Sequence, residues 1–125
     1  MKHILEAKLK ISVTNEDIDD IMVTALEGGI NYWCDKATVI GAPLGEFASE
    51  QISHGGTLKL HDMEDNKNYL LTIDMLLKGI KMAIEDCYFS EYNWHNGKEL
   101  DTGNIDAAVA DAIIQLAIFG DVVYG

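Results

Sequence analysis

The sequence predicts an α+β fold, in which a small antiparallel sheet (an N-terminal strand plus a hairpin) packs with about three α-helices. Three patterns predict it: apolar and polar residues alternate from Leu5 to Val13, a hairpin pattern spans Thr57 to Thr72, and three segments repeat apolar residues at helical spacing. The chain has 125 residues, the usual size of one domain, so we expect residues 1–125 to share a single core.

The first helix is predicted to begin after Thr14, an N-cap with Asp17 three residues later for a capping box. Its apolar face continues through Gly28-Gly29, so we expect one helix, bent at the glycine pair. Each interior glycine costs about 1 kcal/mol relative to alanine. The pair therefore favours close approach of a partner subunit or a flat ligand. Pro43 cannot continue a helix and marks the end of this unit.

The remaining elements follow in chain order. A hairpin is predicted with strands Thr57–His61 and Tyr69–Thr72. Thr72 is placed to cap a second helix, from Ile73 to about Asp86, and Asn104 to cap a third that reaches Phe119. The third helix is apolar on almost all sides, which indicates burial. We expect a subunit interface to cover part of it, so that the chain oligomerises through helices.

The charge balance excludes several classes of function. Asp and Glu number 21 against nine basic residues, all of them lysine, for a net charge of −12. We expect no direct binding to nucleic acid, because no basic stripe is available. No arginine is present to clamp a phosphate, so an anion must be held by lysine, helix N-termini or polar groups.

Cellular location is predicted from what the sequence lacks. It contains no run of about 18 apolar residues, so we expect no membrane partner. The N-terminus carries no export signal, and we therefore expect Cys34 and Cys87 to be reduced thiols in a cytoplasm.

Catalytic and metal motifs are not found in the sequence. The histidines lack metal-ligand spacing, and neither a phosphate loop nor a nucleophile elbow occurs. Acidic residues are typical of the first turns of a helix, and we interpret Asp17, Asp19 and Asp20 in this way. We expect Cys34 to lie in a helix, where a cysteine usually packs as a small hydrophobic residue. We therefore predict a protein that is not an enzyme and uses no metal or cofactor.

Recognition of a flat ligand remains as the function to test. A base stacked on an aromatic side chain contributes about 1–3 kcal/mol. The aromatic platforms and polar contacts together give a predicted ligand-binding set: Trp33, Lys36, Ser49, Gln51, His54, Phe89, Tyr92, Asn93 and Asp106. Trp94 is a further candidate platform. Packing in the core or at an interface is the competing interpretation of the aromatic residues, and simple surface exposure that of His54.

Three blocks, Thr14–Ala37, Gly45–Asp62 and Asp101–Gly125, resemble in this order small proteins encoded by phages and prophages of Firmicutes. These look related to the Thoeris anti-defence sponge proteins, which bind cyclic ADP-ribose signals made by bacterial TIR-domain enzymes. Sponge proteins sequester the signal without cleaving it and work as symmetric oligomers. The resemblance implies a small nucleotide signalling molecule as ligand, a homo-oligomer (dimer or higher) and the host bacterial cytoplasm. The ligand-binding set above comes from the residues alone.

Three other functions remain open from the sequence. The net charge of −12 is typical of an acidic inhibitor that mimics nucleic acid and blocks a host DNA-binding defence protein. Such an inhibitor needs its carboxylates along one exposed face. An enzyme that degrades a nucleotide signal would need a metal or an acid–base pair, and a structural virion role is the last alternative.

Overall fold

The computed structural model describes residues 1–5, 10–89, 93–95 and 99–125. Over these residues the fold is α+β, as predicted: three α-helices and a three-stranded antiparallel sheet that packs against them. The helices are α1 (Asn15–Thr24), α2 (Ile73–Glu85) and α3 (Ala107–Phe119). The sheet has the order β1-β2-β3, with β1 (Cys34–Ile40), β2 (Thr57–Asp62) and β3 (Lys67–Leu71). A separate two-stranded pair joins β4 (Trp94–His95) to β5 (Glu99–Leu100).

The third strand of the sheet is not the strand that was predicted. In its described part, the N-terminal segment contributes only an isolated bridge between Ser12 and Glu99, and Leu5 is 90% exposed. Residues 6–9 of that prediction lie outside the described residues. The position beside β2 is occupied by β1, so the expectation that Cys34 lies in a helix is wrong. The β-branched run at the end of β1 favours a strand, and pairing with β2 satisfies its backbone.

Helix α1 begins as its sequence predicts. The Thr14 backbone N–H donates to Asp17 Oδ2 at 2.9 Å, and the Asp17 N–H donates back to Thr14 Oγ1 at 3.0 Å. The helix then continues into a π-helical turn, Ala25–Gly29, so the glycine pair ends the helix instead of bending its middle. In a π turn each backbone hydrogen bond spans five residues and not four. The turn places Ile30 at the corner that leads into β1.

Helix α3 lies at the centre of the core and approaches two glycines closely. A Cβ added at Gly29 would lie 2.9 Å from the Ala107 carbonyl oxygen, and one added at Gly79 would lie 2.5 Å from that of Ile113. Gly28 has nothing within 4 Å. The close approach expected at the glycine pair therefore exists, but it involves Gly29 alone and its partner is α3 of the same chain.

Helix α3 ends at Phe119 as predicted, but it begins two residues later than its predicted N-cap implies. Asp106 is the N-cap, not Asn104, because the Asp106 carboxylate accepts the Val109 N–H at 2.8 Å. Gly120 ends the helix in the left-handed conformation, with φ of 75°. Seven consecutive residues, 110–116, are buried within the single chain. Burial of α3 therefore needs no second subunit along this stretch, and oligomerisation through helices stays a prediction.

The glycine pair offers a matched test of this packing. We expect Gly29→Ala to lower the free energy of unfolding by about 1–3 kcal/mol, the usual cost of overpacking, because the new methyl group would meet the α3 backbone. Gly28→Ala faces open space, so it is expected to leave stability unchanged or to raise it by up to about 1 kcal/mol. Urea denaturation of both variants measures the difference. Equal effects of the two substitutions would contradict the packing described.

Candidate functional site

A cleft of about 530 Å³ lies where the π turn runs into β1, and we call it the β1 cleft. Its volume is within the range of small-molecule sites. Its lining combines apolar and polar groups: Leu26, Ile30, Asn31, Cys34, Asp35, Lys36, Ala37 and Ala48. The cleft can therefore cover the face of an apolar ring while an amide, a carboxylate and an ammonium group bind polar substituents.

His61 on β2 holds the carboxylate at one side of the cleft. Its Nδ1 lies 2.6 Å from Asp35 Oδ1 and its Nε2 lies 2.9 Å from Asn66 Oδ1. Nδ1–H can donate to the Asp35 carboxylate, while the Asn66 amide, which carries both a donor and an acceptor, completes the hydrogen bonding of the ring at Nε2. The hydrogen bond to Asp35, followed by that to Asn66, raises the pKa of His61, and the same bond from His61 lowers the pKa of Asp35.

Cys34 lies in the cleft wall but is a poor nucleophile. Burial raises the pKa of its thiol, and Sγ donates weakly to the Lys36 carbonyl oxygen at 3.4 Å. The reactive form of cysteine is the thiolate. A thiol that stays protonated acts as a small hydrophobe, which is the role that the sequence predicts for it. Cys34 and Cys87 are both free.

Trp33, predicted as a stacking platform, is fully buried. Its indole N–H donates to Asp111 Oδ1 at 2.8 Å. Its ring stacks on Tyr124 at a centroid distance of 5.8 Å and an interplanar angle of 27°, and it contacts Phe119 at 5.5 Å. The ring therefore has no face accessible to a ligand in this conformation. Trp33 packs in the core, which is the competing interpretation given in the sequence analysis.

Among the polar residues of the predicted set, Lys36 lies on the β1 cleft. Ser49 is half-buried in the short 3₁₀ turn Ala48–Glu50, whose first residue lines the same cleft. Ser49 itself is not among the lining residues, so Lys36 is the member of the predicted set that the structure places in the cleft lining. Its placement depends on β1, which the sequence analysis did not find.

Gln51 and His54 have local hydrogen bonds instead. Gln51 is buried, and its side-chain amide accepts the Leu44 N–H at 3.0 Å and donates to the Ala42 carbonyl oxygen at 3.3 Å. It thus fixes the loop that follows β1. His54 is exposed, with Nδ1 2.7 Å from the Glu50 carbonyl oxygen.

Three further members of the predicted set, Phe89, Asn93 and Asp106, are described and are not among the residues that line the β1 cleft. Phe89 is half-buried against the core, and Asn93 is buried, with its backbone oxygen accepting the Asp101 N–H at 2.7 Å. Asp106 is the N-cap of α3. Tyr92 lies outside the described residues, as do the side chain of Trp94 and residues 90 and 91.

Sequence reasoning missed a buried network centred on Asp111. This residue is 8% exposed, and its carboxylate accepts from Tyr32 Oη at 2.5 Å and from Gln115 Nε2 at 2.8 Å, in addition to Trp33. Partial burial of the hydroxyl, followed by the hydrogen bond to Asp111, raises the pKa of Tyr32 to about 12. Asp111 and Gln115 stand four residues apart on an otherwise apolar helix, and that spacing is the signal that could have found them.

A second cleft, of about 470 Å³, is acidic, and we call it the α1 cleft. Its lining includes five carboxylates: Glu16, Asp17, Asp20, Glu99 and Asp101. The Thr102 hydroxyl lies 2.8 Å from Asp20 Oδ2 and 3.2 Å from Asp17 Oδ1. Among the described residues, no group of three or more His, Cys, Asp or Glu side chains is arranged to hold a metal ion.

Comparison of the chain with protein-family models, curated proteins and solved structures finds no match. The resemblance to sponge proteins stays a prediction, and the function must be argued from the geometry of the clefts. In the part of the chain that the structure describes, none of the helices has both the length and the apolar character to cross a bilayer.

The Asp111 network gives a stability prediction. Asp111→Ala leaves the buried Trp33 N–H without its acceptor, so we expect a loss of about 3 kcal/mol in the free energy of unfolding, since a buried group left unpaired costs its full desolvation. Tyr32→Phe removes a hydroxyl at the edge of the network that donates to Asp111 and accepts from Gln115 at 3.2 Å, and a loss of about 1 kcal/mol is expected because Trp33 and Gln115 keep their bonds to Asp111. Guanidinium denaturation measures both. If the two losses were equal, Asp111 would not be the centre of the network.

The His61–Asp35 pair predicts a pH window of stability. The raised pKa of His61 means that its contribution is complete below pH 6.5 and is lost as pH rises through the folded-state value. The lowered pKa of Asp35 means that its contribution is complete above pH 3.8 and is lost as pH falls through the folded-state value. We therefore expect the difference in urea midpoint between the unaltered chain and His61→Gln to be largest between these limits. A difference that stays constant up to pH 9 would refute the pairing.

Proposed function

We propose that this chain is a phage-encoded anti-defence protein that binds a small nucleotide immune signal of the cyclic ADP-ribose type. It sequesters the signal without cleaving it, in the host bacterial cytoplasm. The β1 cleft carries the proposal, because its size suits a small molecule and its lining pairs apolar side chains with an amide and an ammonium group. The resemblance of the three sequence blocks supplies the class of ligand.

The groups of the cleft favour holding a ligand over breaking a bond in it. Leu26 and Ile30 can cover a ring, Asn31 can exchange two hydrogen bonds with a base or ribose, and Lys36 can bind a phosphate oxygen. The thiol of Cys34 stays protonated because burial raises its pKa. Asp35 already accepts a hydrogen bond from His61, which lowers its basicity. Sequestration needs only the contacts, so these properties support it.

Assembly into a homo-oligomer belongs to the same proposal. Three large apolar side chains are exposed between the end of β1 and the Ala48 turn: Ile40 at 41%, Leu44 at 46% and Phe47 at 63%. Burial of apolar surface of this kind by a second copy is favourable. Because Ala48 also lines the β1 cleft, a subunit docked there would border the cleft and shield a bound ligand from water.

Ligand binding by the purified chain tests the proposal. Cyclic ADP-ribose isomers are expected to raise the melting temperature, and ligand released by heat should be recovered with its mass unchanged. Lys36→Gln should weaken the calorimetric affinity about fivefold, whereas Lys78→Gln, an exposed lysine on α2, should leave it unchanged. A cleaved ligand would refute sequestration, and no shift with any isomer would refute nucleotide binding.

One observation favours a second function, an acidic inhibitor that mimics nucleic acid and blocks a host DNA-binding defence protein. The α1 cleft gathers five of the 21 acidic residues on one surface, as such a protein requires. Binding to a basic partner through this surface would weaken steeply with salt, because exposed charges are screened over about 10 Å at 0.1 M ionic strength. Binding of a nucleotide in the β1 cleft also depends on apolar contact and is less sensitive to salt.

A further inference from the structure

The sheet has one face that points away from the core, and we call it the outer sheet face. Along β2, the fully buried residues Leu58 and Leu60 alternate with Lys59 and His61, which remain partly exposed. Pairing with β1 places Lys36 opposite His61 on this face. The same register places Thr38 opposite Lys59.

The register brings three basic side chains together in a strongly acidic protein. Lys36 and His61 are direct cross-strand neighbours, and Lys59 lies diagonal to Lys36, a separation of about 7–8 Å that long side chains can bridge. The chain has only nine lysines and a net charge of −12. Because Lys36 and Lys59 are diagonal neighbours on one face, both of their ammonium groups can reach a single anion there.

Among the described residues, no acidic side chain forms an ion pair with Lys36 or Lys59, so both lysines are available to a ligand. Asp35 is adjacent to Lys36 in the chain, but His61 holds its carboxylate at 2.6 Å. His61 has both ring nitrogens engaged, by Asp35 and Asn66, so it is not a donor to the ligand. Its bond to Asp35 leaves that carboxylate outside ion-pair distance of Lys36, although Lys36 still attracts it electrostatically.

We propose that Lys36 and Lys59 form a diphosphate-binding subsite on the outer sheet face, with the Thr38 hydroxyl beside them. The inference rests on the proposed function, because Lys36 also lines the β1 cleft and so joins this subsite to the place where the nucleoside binds. The ligand class is a nucleoside diphosphate, with its ring in the cleft and its phosphates over the sheet. Two ammonium groups then balance part of the negative charge of the phosphates in a chain that has no arginine.

Two measurements on the full chain test this subsite. The first is a titration with inorganic pyrophosphate followed by the backbone amide resonances in ¹H–¹⁵N spectra. We expect the amides of residues 36–38 and 59–61 to shift, and the shifts to vanish in the Lys36→Gln/Lys59→Gln double variant. The matched control, Lys78→Gln/Lys81→Gln on α2, should keep them. Unchanged amides on β1 and β2 in the unaltered chain would overturn the subsite.

The second measurement compares adenosine diphosphate with adenosine by calorimetry. Lys59→Gln should weaken the diphosphate about fivefold and leave adenosine within twofold, because Lys59 is outside the β1 cleft. If pyrophosphate shifts the sheet amides but no cyclic ADP-ribose isomer binds, the proposed function fails and the subsite stands. If the diphosphate binds equally well to Lys59→Gln and to the unaltered chain, the subsite fails and the proposed function stands.

Discussion

The buried carboxylate of Asp111 is the interaction on which the rest of the structure depends. It lies in the middle of α3 and accepts hydrogen bonds from Tyr32 and Trp33, which occupy the corner between the π turn and β1. With an apolar residue in place of Asp111, the indole N–H of Trp33 would be unpaired in the core, at a cost of about 1–3 kcal/mol. The network therefore fixes the direction in which the chain leaves α1, and with it the position of β1.

Gln115 extends the same network to the last residues of the chain. Its amide oxygen accepts the backbone N–H groups of Val123 and Tyr124, at 2.8 and 2.9 Å, and its nitrogen donates to Asp111. The Tyr124 hydroxyl donates to Asp62 Oδ2 at 2.8 Å, so this segment also contacts the end of β2. Two polar residues on one helix thus join α3, the corner before β1, the sheet and residues 121–125 into a single core.

Both candidate binding surfaces result from this arrangement. The β1 cleft exists because the helix ends at Gly29 and the chain turns at once into a strand. The outer sheet face exists because β1 pairs with β2 in a register that places Lys36 opposite His61. Lys36 belongs to both surfaces, which makes it the residue where the polar and the apolar parts of a ligand would meet.

The local elements were predictable because their signals lie within a few residues. The capping box of Thr14 and Asp17, the hairpin after Gly56 and the N-cap of α2 at Thr72 each depend on neighbouring side chains and backbone, and each is present. The α+β class follows from the same periodicities. Lys36 stays a predicted binding residue, and the structure places it on the lining of the β1 cleft.

Only the tertiary structure decided which strand completes the sheet and which side chains are buried. The N-terminal segment and residues 34–40 both carry strand-like patterns. Residues 34–40 follow directly on Trp33, which is hydrogen-bonded to Asp111, 78 residues away, and no local pattern reports that contact. Trp33 and Gln51 looked like ligand contacts because aromatic and amide groups serve equally well in a core and in a site. The burial of a side chain depends on contacts between residues that are distant in the sequence. The spacing of residue types indicates only which side chains are neighbours within one helix or strand.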